Sequence, residues 1–250
     1  MANKQLSAAI FIQARMSSTR LPGKTMLPLA GRRMLAHVVS RFQDAPVSGP
    51  LIVATSVEPS DDFILSWSKG AGVQCYRGSE RDVLLRFHSA AEKLDVKYII
   101  RATADNPLIW EGAVAHLGRH IVEESCDYIS YTEHLPLGLG IEIFTKEALG
   151  RANNEAKEPH QREHVTPYFY ENKAIFDCLW ISPPAELEGG FRLTVDTKED
   201  YEQMKRIYER LYRPGSIIAA VDAVALLRNE PNIAAINADV RQKGSKESQE

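Results

Sequence analysis

Along most of the chain, short continuous apolar runs alternate with segments of helical period. Residues 8–12 and 51–55 are apolar without the every-second-residue break of a half-exposed strand, and 98–103 and 128–131 also read as strands. Such runs are expected of parallel strands covered on both faces. Residues 72–76 form a weaker run of the same kind. Between the runs, residues 34–42 place Leu35, Val38, Val39 and Phe42 on one helical face. A second helix is predicted to start at Ser60-Asp61-Asp62, whose oxygens can cap it. A third runs to Leu94 from Ser79, with Asp82 three residues later in a capping-box arrangement that has Asp in place of the usual Glu. A fourth covers about residues 111–124. Strands alternating with helices of this length predict an α/β protein with a doubly wound, mostly parallel (mixed) sheet.

From about residue 132 to 182 the rhythm changes. A turn-rich loop at 134–140 precedes a strand at 141–144, a helix to about Glu155, a break at Glu158-Pro159-His160 and a helix at about 161–172. This stretch is expected to be an insertion. Residues 191–195 then return to the sheet as a strand. Residues 197–211 form an amphipathic helix with Tyr201, Met204, Ile207, Tyr208 and Leu211 inward, and 219–227 form the last substantial helix. The expectation is a single domain over residues 1–240, with a disordered polar tail at 241–250.

Bulk properties narrow the function by exclusion. A net charge of −3 does not suit general nucleic-acid binding, so any phosphate binding must be local. The three cysteines lack a C-x-x-C pair, which gives neither a disulfide framework nor a zinc site. The amino end has no signal-peptide apolar region, and no run is long enough to span a bilayer, so a cytoplasmic protein without membrane partners is expected.

The chemistry gathers after the first run. Arg15, Arg20 and Lys24 fall within ten positions, interleaved with Ser17, Ser18, Thr19 and Gly23. A strand leading into a small-residue loop with fixed cations suits a polyphosphate, surrounded by hydroxyls and backbone N–H groups and neutralised by Arg and Lys. The position matters, because open α/β sheets bind ligands at the carboxyl ends of their strands. Neither a Walker A nor a G-x-G-x-x-G pattern is present. Asp105 and Asp196 each follow a predicted sheet strand and would share that rim. Beside a triphosphate such carboxylates suit Mg²⁺, a hard cation that keeps several waters. Asp196-Thr197 equally reads as a helix cap, and Asp105-Asn106-Pro107 as an Asx turn.

The segment Ala14-Arg15-x-x-Ser18-Thr19-Arg20-Leu21-Pro22-Gly23-Lys24 resembles the signature loop of the sugar-activating cytidylyltransferases, the 3-deoxy-manno-octulosonate and acylneuraminate enzymes among them. The match is closest to the spore-coat polysaccharide type. Gly78-Ser79-Glu80, Thr103 to Leu108, Arg162 to Pro167 and Leu193 to Thr197 follow in the order that family uses. The resemblance implies transfer of CMP from CTP to a sugar acid, with pyrophosphate released, for surface polysaccharide. It implies Mg²⁺ on Asp105 and Asp196, and triphosphate binding by Ala14, Arg15, Ser18, Arg20 and Lys24, with Arg15 and Lys24 catalytic. Arg77, Gly78 and Ser79 would meet the base. Arg162, Glu163, His164 and Glu142 would meet the acceptor, with the insertion covering it and pairing two copies as a homodimer. Where the octulosonate enzymes have Gln-Gly-Asp-Glu-Pro, this chain has Thr103-Ala104-Asp105-Asn106-Pro107. That departure leaves a phosphonate or sugar phosphate open as acceptor. A glycosyltransferase would ordinarily carry Asp-x-Asp, which does not occur here, and a non-catalytic nucleotide-binding protein is the remaining reading.

Overall fold

The apolar runs become the middle of a seven-stranded sheet in the computed structural model, which describes residues 5–244. β1 (Ala8–Gln13) is followed by a hairpin of two short strands, β2 (Pro28–Leu29) and β3 (Arg32–Arg33), and by α1 (Met34–Ser40). Next come β4 (Leu51–Ser56), α2 (Asp62–Gly70), β5 (Gln74–Gly78), α3 (Val83–Ala91), β6 (Tyr98–Thr103), α4 (Ala113–Glu124) and β7 (Tyr128–Tyr131). β8 (Glu142–Thr145), α5 (Lys146–Glu155), α6 (Pro159–His164), α7 (Pro167–Glu171) and β9 (Cys178–Ile181) follow. α8 (Lys198–Leu211) and α9 (Ala220–Asn229) come after them. The strand order is β5-β4-β1-β6-β8-β7-β9. Within this sheet every pairing is parallel except those of β8, which runs against both β6 and β7.

Helices cover both faces, which is why the central strands are apolar throughout. Ile10 and Ile12 enter the core built with α1, α2, α4, α8 and α9. Ala9 and Phe11 enter the core built with α3, α5 and α7, where Phe11 meets Phe87 edge-on at 5.3 Å between ring centroids. No helix among the described residues is long and apolar enough to cross a membrane.

Four expectations change, the first two for non-local reasons. Residues 191–195 are extended but form no sheet strand, because β8 already occupies the edge of β6. Leu193 N–H donates instead to Leu137 O at 2.7 Å, and Val195 N–H to Asp105 O at 2.9 Å, while both side chains are fully buried. Residues 132–182, expected as an insertion, contribute β8 and β9 to the central sheet. The helix after β5 is capped by Asp82, whose Oδ1 accepts from Leu85 N–H at 2.9 Å; Ser79 sits one turn earlier and accepts from Asp82 N–H at 3.0 Å. The helix expected at 161–172 breaks at Val165, which takes φ 71° before Pro167 starts α7. Of the tail expected at 241–250, residues 241–244 are irregular and residues 245–250 lie outside the described residues.

The 134–140 loop packs backbone against backbone on the segment that leads to Asp196. Gly138 has φ +100°, and a Cβ there would lie 2.5 Å from both Leu193 C and Thr194 N. No side chain can yield to relieve that approach. Gly138→Ala is therefore expected to lower stability by about 2 kcal/mol or more, read from denaturant unfolding. An unchanged midpoint would show that the two segments separate freely.

Candidate active site

At the carboxyl ends of β1 and β6 an open cleft of ≈ 430 Å³ brings together residues far apart in the chain. Arg15, Ser18, Arg20 and Lys24 line it from the first loop, Asp105 from the end of β6, Glu163 and His164 from α6, and Asp196 from the extended segment. The loop keeps its shape through buried Asp61, 1% exposed. Its Oδ1 accepts from Met16 N–H at 2.7 Å, and its Oδ2 from Ser56 N–H at 3.0 Å and the Ser56 hydroxyl at 2.6 Å. Gly23, at φ 70°, then turns the chain so that the 3-10 turn Lys24–Met26 begins with Lys24 facing inward over the rim.

Lys24 is the hub. Its Nζ donates to Asp105 Oδ2 and to Asp196 Oδ1, both at 2.6 Å. Burial disfavours the Lys24 charge, but the attraction of Asp105 and Asp196 and its hydrogen bonds to both outweigh that, so its pKa lies above the ordinary 10.5. At Asp105 the same pairing overcomes burial and holds the carboxyl below its ordinary 3.8. Around the hub, Arg20 lies 3.2 Å from Asp196 Oδ2, and Arg15 pairs with Glu163 Oε1 at 3.2 Å. Ser17 bonds to Glu80, tying the first loop to the turn after β5.

Not every sequence candidate reaches the cleft. Ala14 is buried in the core beneath it. Arg77 donates to Ser56 O at 2.8 Å, Asp62 Oδ1 at 2.7 Å and Glu58 O at 3.0 Å, and it braces the end of β4. Gly78 ends β5 and Ser79 follows it over Arg86, whose Nη1 donates to Ser79 O at 2.8 Å; burial first, then the nearby Arg15, pushes the Arg86 pKa down to about 10. Arg162 is held by Asp82 at 2.6 Å and by Asn153 O at 2.6 Å. Glu142 pairs with Arg101 and accepts from Tyr128 OH at 2.7 Å, next to the cleft rather than on it.

Other residues at the site carry no local signal in the sequence. Arg192 donates to Asp196 Oδ2 at 2.7 Å and to Asp200 Oδ1 at 2.8 Å. Asp200, fully buried, accepts from Asp196 N–H at 2.9 Å and Thr197 N–H at 3.0 Å. Together they fix the turn that carries Asp196. Only the Thr197-x-x-Asp200 capping box could have pointed to Asp200. Gln13, Thr103 and Asn106 also line the cleft.

The arrangement can hold a polyanion between the cations of one loop and offer two carboxylates to a hard cation. Asp105 and Asp196 match the one or two carboxylates that Mg²⁺ takes alongside water and phosphate oxygens. No group of three or more His, Cys, Asp or Glu side chains with metal-binding placement occurs among the described residues. A site of this kind would therefore need its remaining donors from a ligand.

The chain is similar to known proteins over most of its length. A family model described as Cytidylyltransferase matches residues 9–217. The chain is 38% identical over 243 residues to the uncharacterized protein MJ1063 of Methanocaldococcus jannaschii, covering 96% of this chain and 98% of that protein. It is 34% identical over 230 residues to the spore coat polysaccharide biosynthesis protein SpsF of Bacillus subtilis, covering 89% and 95%. A cytidylyltransferase structure from Leptospira borgpetersenii superposes with a TM-score of 0.84 at 29% identity, covering 96% and 99%.

Proposed function

The chain belongs to the cytidylyltransferase family, and from that premise we propose that it transfers CMP from CTP to an oxygen of a sugar acid, releasing pyrophosphate, in the making of a surface polysaccharide. The observation that carries the reading is the convergence of Arg15, Arg20 and Lys24 with Asp105 and Asp196 on one cleft.

In the step, the acceptor oxygen forms a bond to the α-phosphorus while the bond from that phosphorus to the bridging oxygen breaks, and its electron pair leaves with pyrophosphate. Such a reaction is accelerated mainly by positioning and by stabilising developing charge. Arg15 and Arg20 hold the triphosphate. Lys24 spends two donors on the carboxylates, and the third N–H of its ammonium is left for a phosphate oxygen. Asp105 and Asp196 are the residues that would hold Mg²⁺, which when bound supplies charge neutralisation at the α-phosphate. Held below its ordinary pKa, Asp105 is a poor general base, so a proton lost by a hydroxyl acceptor goes to water. Glu163 and His164 line the same cleft and would meet the acceptor. Gly78 and Ser79, at the end of β5, are the residues that would meet the base, beside the first loop that the Ser17–Glu80 bond ties to this segment.

The test is a pyrophosphate-release assay with CTP, UTP and GTP, Mg²⁺ and a panel of acids. Release with CTP in preference to the others is expected. Release with UTP or GTP but not CTP would overturn the cytidylyl assignment. Transfer from a preformed nucleotide sugar would favour a glycosyltransferase instead.

A further inference from the structure

Beyond α9 the chain returns to the cleft, which Gln242 and Lys243 line together with Asp196. This late segment is tied to the turn that carries Asp196. Buried Asn237 donates from Nδ2 to Arg192 O at 3.1 Å and to Asp200 Oδ1 at 2.8 Å, and its Oδ1 accepts from Gln203. Val240 N–H donates back to Asn237 O at 3.1 Å. Gln242 Oε1 then accepts from Arg192 Nη1, while Nη2 of the same guanidinium donates to Asp196 Oδ2 at 2.7 Å. One planar fork thus holds the carboxylate and the late segment side by side. Residues 241–244 form neither helix nor strand, so side-chain bonds such as this one set where Lys243 falls.

The charges around the cleft give that position a meaning. Five cations line it, Arg15, Arg20, Lys24, Arg101 and Lys243, against the three carboxylates of Asp105, Glu163 and Asp196. Arg15 pairs with Glu163, Arg20 with Asp196, Lys24 with Asp105 and Asp196, and Arg101 with Glu142 beside the cleft. Among the described residues Lys243 has no carboxylate partner. A paired cation spends part of its attraction on its own carboxylate, so an unpaired one offers more to an arriving anion. Lys243 is also exposed, and its ammonium is a compact charge with three donors on a flexible stem. In a triphosphate, most of the negative charge sits on the outer two groups.

We propose that Lys243 is a further polyphosphate ligand, carried to the cleft by the Arg192–Gln242 bond, and that it contacts the outer phosphates that leave as pyrophosphate. Arg192 and Gln242 act as positioning residues in this arrangement. The inference rests on the reading of the cleft as a triphosphate site, and adds a contact from a segment far from the first loop in sequence.

Lys243→Met removes the charge and keeps most of the stem. The side chain makes no ion pair within the described chain, so Tm should not move. Calorimetric titration with inorganic tripolyphosphate probes the cleft without a base or an acceptor. Its affinity is expected to fall about fivefold, the order of one exposed charge pair, and Lys243→Arg should restore it. CMP lacks the outer phosphates and should bind both variants within about twofold of the wild type. Gln242→Leu keeps the lysine but cuts the bond to Arg192, and should weaken tripolyphosphate in the same direction. The proposal is overturned by unchanged tripolyphosphate affinity in Lys243→Met, by no recovery in Lys243→Arg, or by CMP weakened as much as tripolyphosphate. A KM increase confined to the acid acceptor overturns it as well, and unchanged affinity in Gln242→Leu removes the tether. Lys243-dependent tripolyphosphate binding with no pyrophosphate release from CTP on any acid would sink the transfer reading and leave the Lys243 contact standing.

Discussion

Asp105→Asn is expected to bind CTP within a few-fold of the wild type and to lose at least about 10²-fold in turnover. The substitution keeps the shape of the side chain and removes its charge. Arg15, Arg20 and Lys24, which line the cleft proposed to hold the triphosphate, remain in place, and Lys24 keeps Asp196 as a partner at 2.6 Å. Binding should therefore survive, while one of the two carboxylates proposed to act at the α-phosphate is gone. Calorimetric titration with CTP and Mg²⁺, set beside pyrophosphate release at saturating CTP, separates the two quantities. Near-normal turnover would remove Asp105 from the mechanism.

Lys24→Met should do more damage, because one side chain serves both carboxylates. Without the ammonium, Asp105 and Asp196 repel each other and the triphosphate loses a cation. We expect kcat/KM to fall by roughly 10³-fold, with part of the loss in CTP affinity. Removing one partner of a fully buried pair costs roughly 3–5 kcal/mol. Here Asp105 and Asp196 keep 23% and 14% side-chain exposure, so a stability loss on the order of 2 kcal/mol is expected instead.

That loss depends on pH in a direction set by the two shifts. The Asp105 pKa is depressed, so its contribution is present above the ordinary 3.8 and fades as pH falls through the folded value. The Lys24 pKa is raised, so its contribution is present below the ordinary 10.5 and fades as pH rises through the folded value. The stability gap between wild type and Lys24→Met should be widest between those limits and close at both ends. Urea midpoints at about pH 3, 7 and 11 would show this, and a gap independent of pH would mean that the ion pairs contribute nothing.

Much of the frame can be read without coordinates. The continuous apolar runs identify strands covered on both sides, and β6 and β7 fall on the residues their pattern marks. The cationic loop after β1 and Asp105 after β6 meet because parallel strands present their carboxyl ends on one rim. Asp196 meets them too, by a different route. The apolar alternation of residues 191–195 looks like a strand, yet those backbone groups bond to Leu137 and Asp105 rather than to a sheet neighbour.

Charged residues outside the first loop show why the rest was hidden. Arg77 and Arg162 have the same chemistry as Arg15 and Arg20, but Asp62 and Asp82 engage them outside the cleft. Arg192, with nothing local to mark it, anchors Asp196. A residue's type says what it can bind, while its partner depends on which distant backbone ends beside it.

By itself, then, the sequence determined the α/β layering and the cationic loop, because periodicity and charge spacing are properties of neighbouring residues. The placement of β8 between β6 and β7 and the path that carries Asp196 to Lys24 were decided only by the tertiary structure. Each depends on segments tens of residues apart packing in one order, and a local pattern is compatible with many such orders.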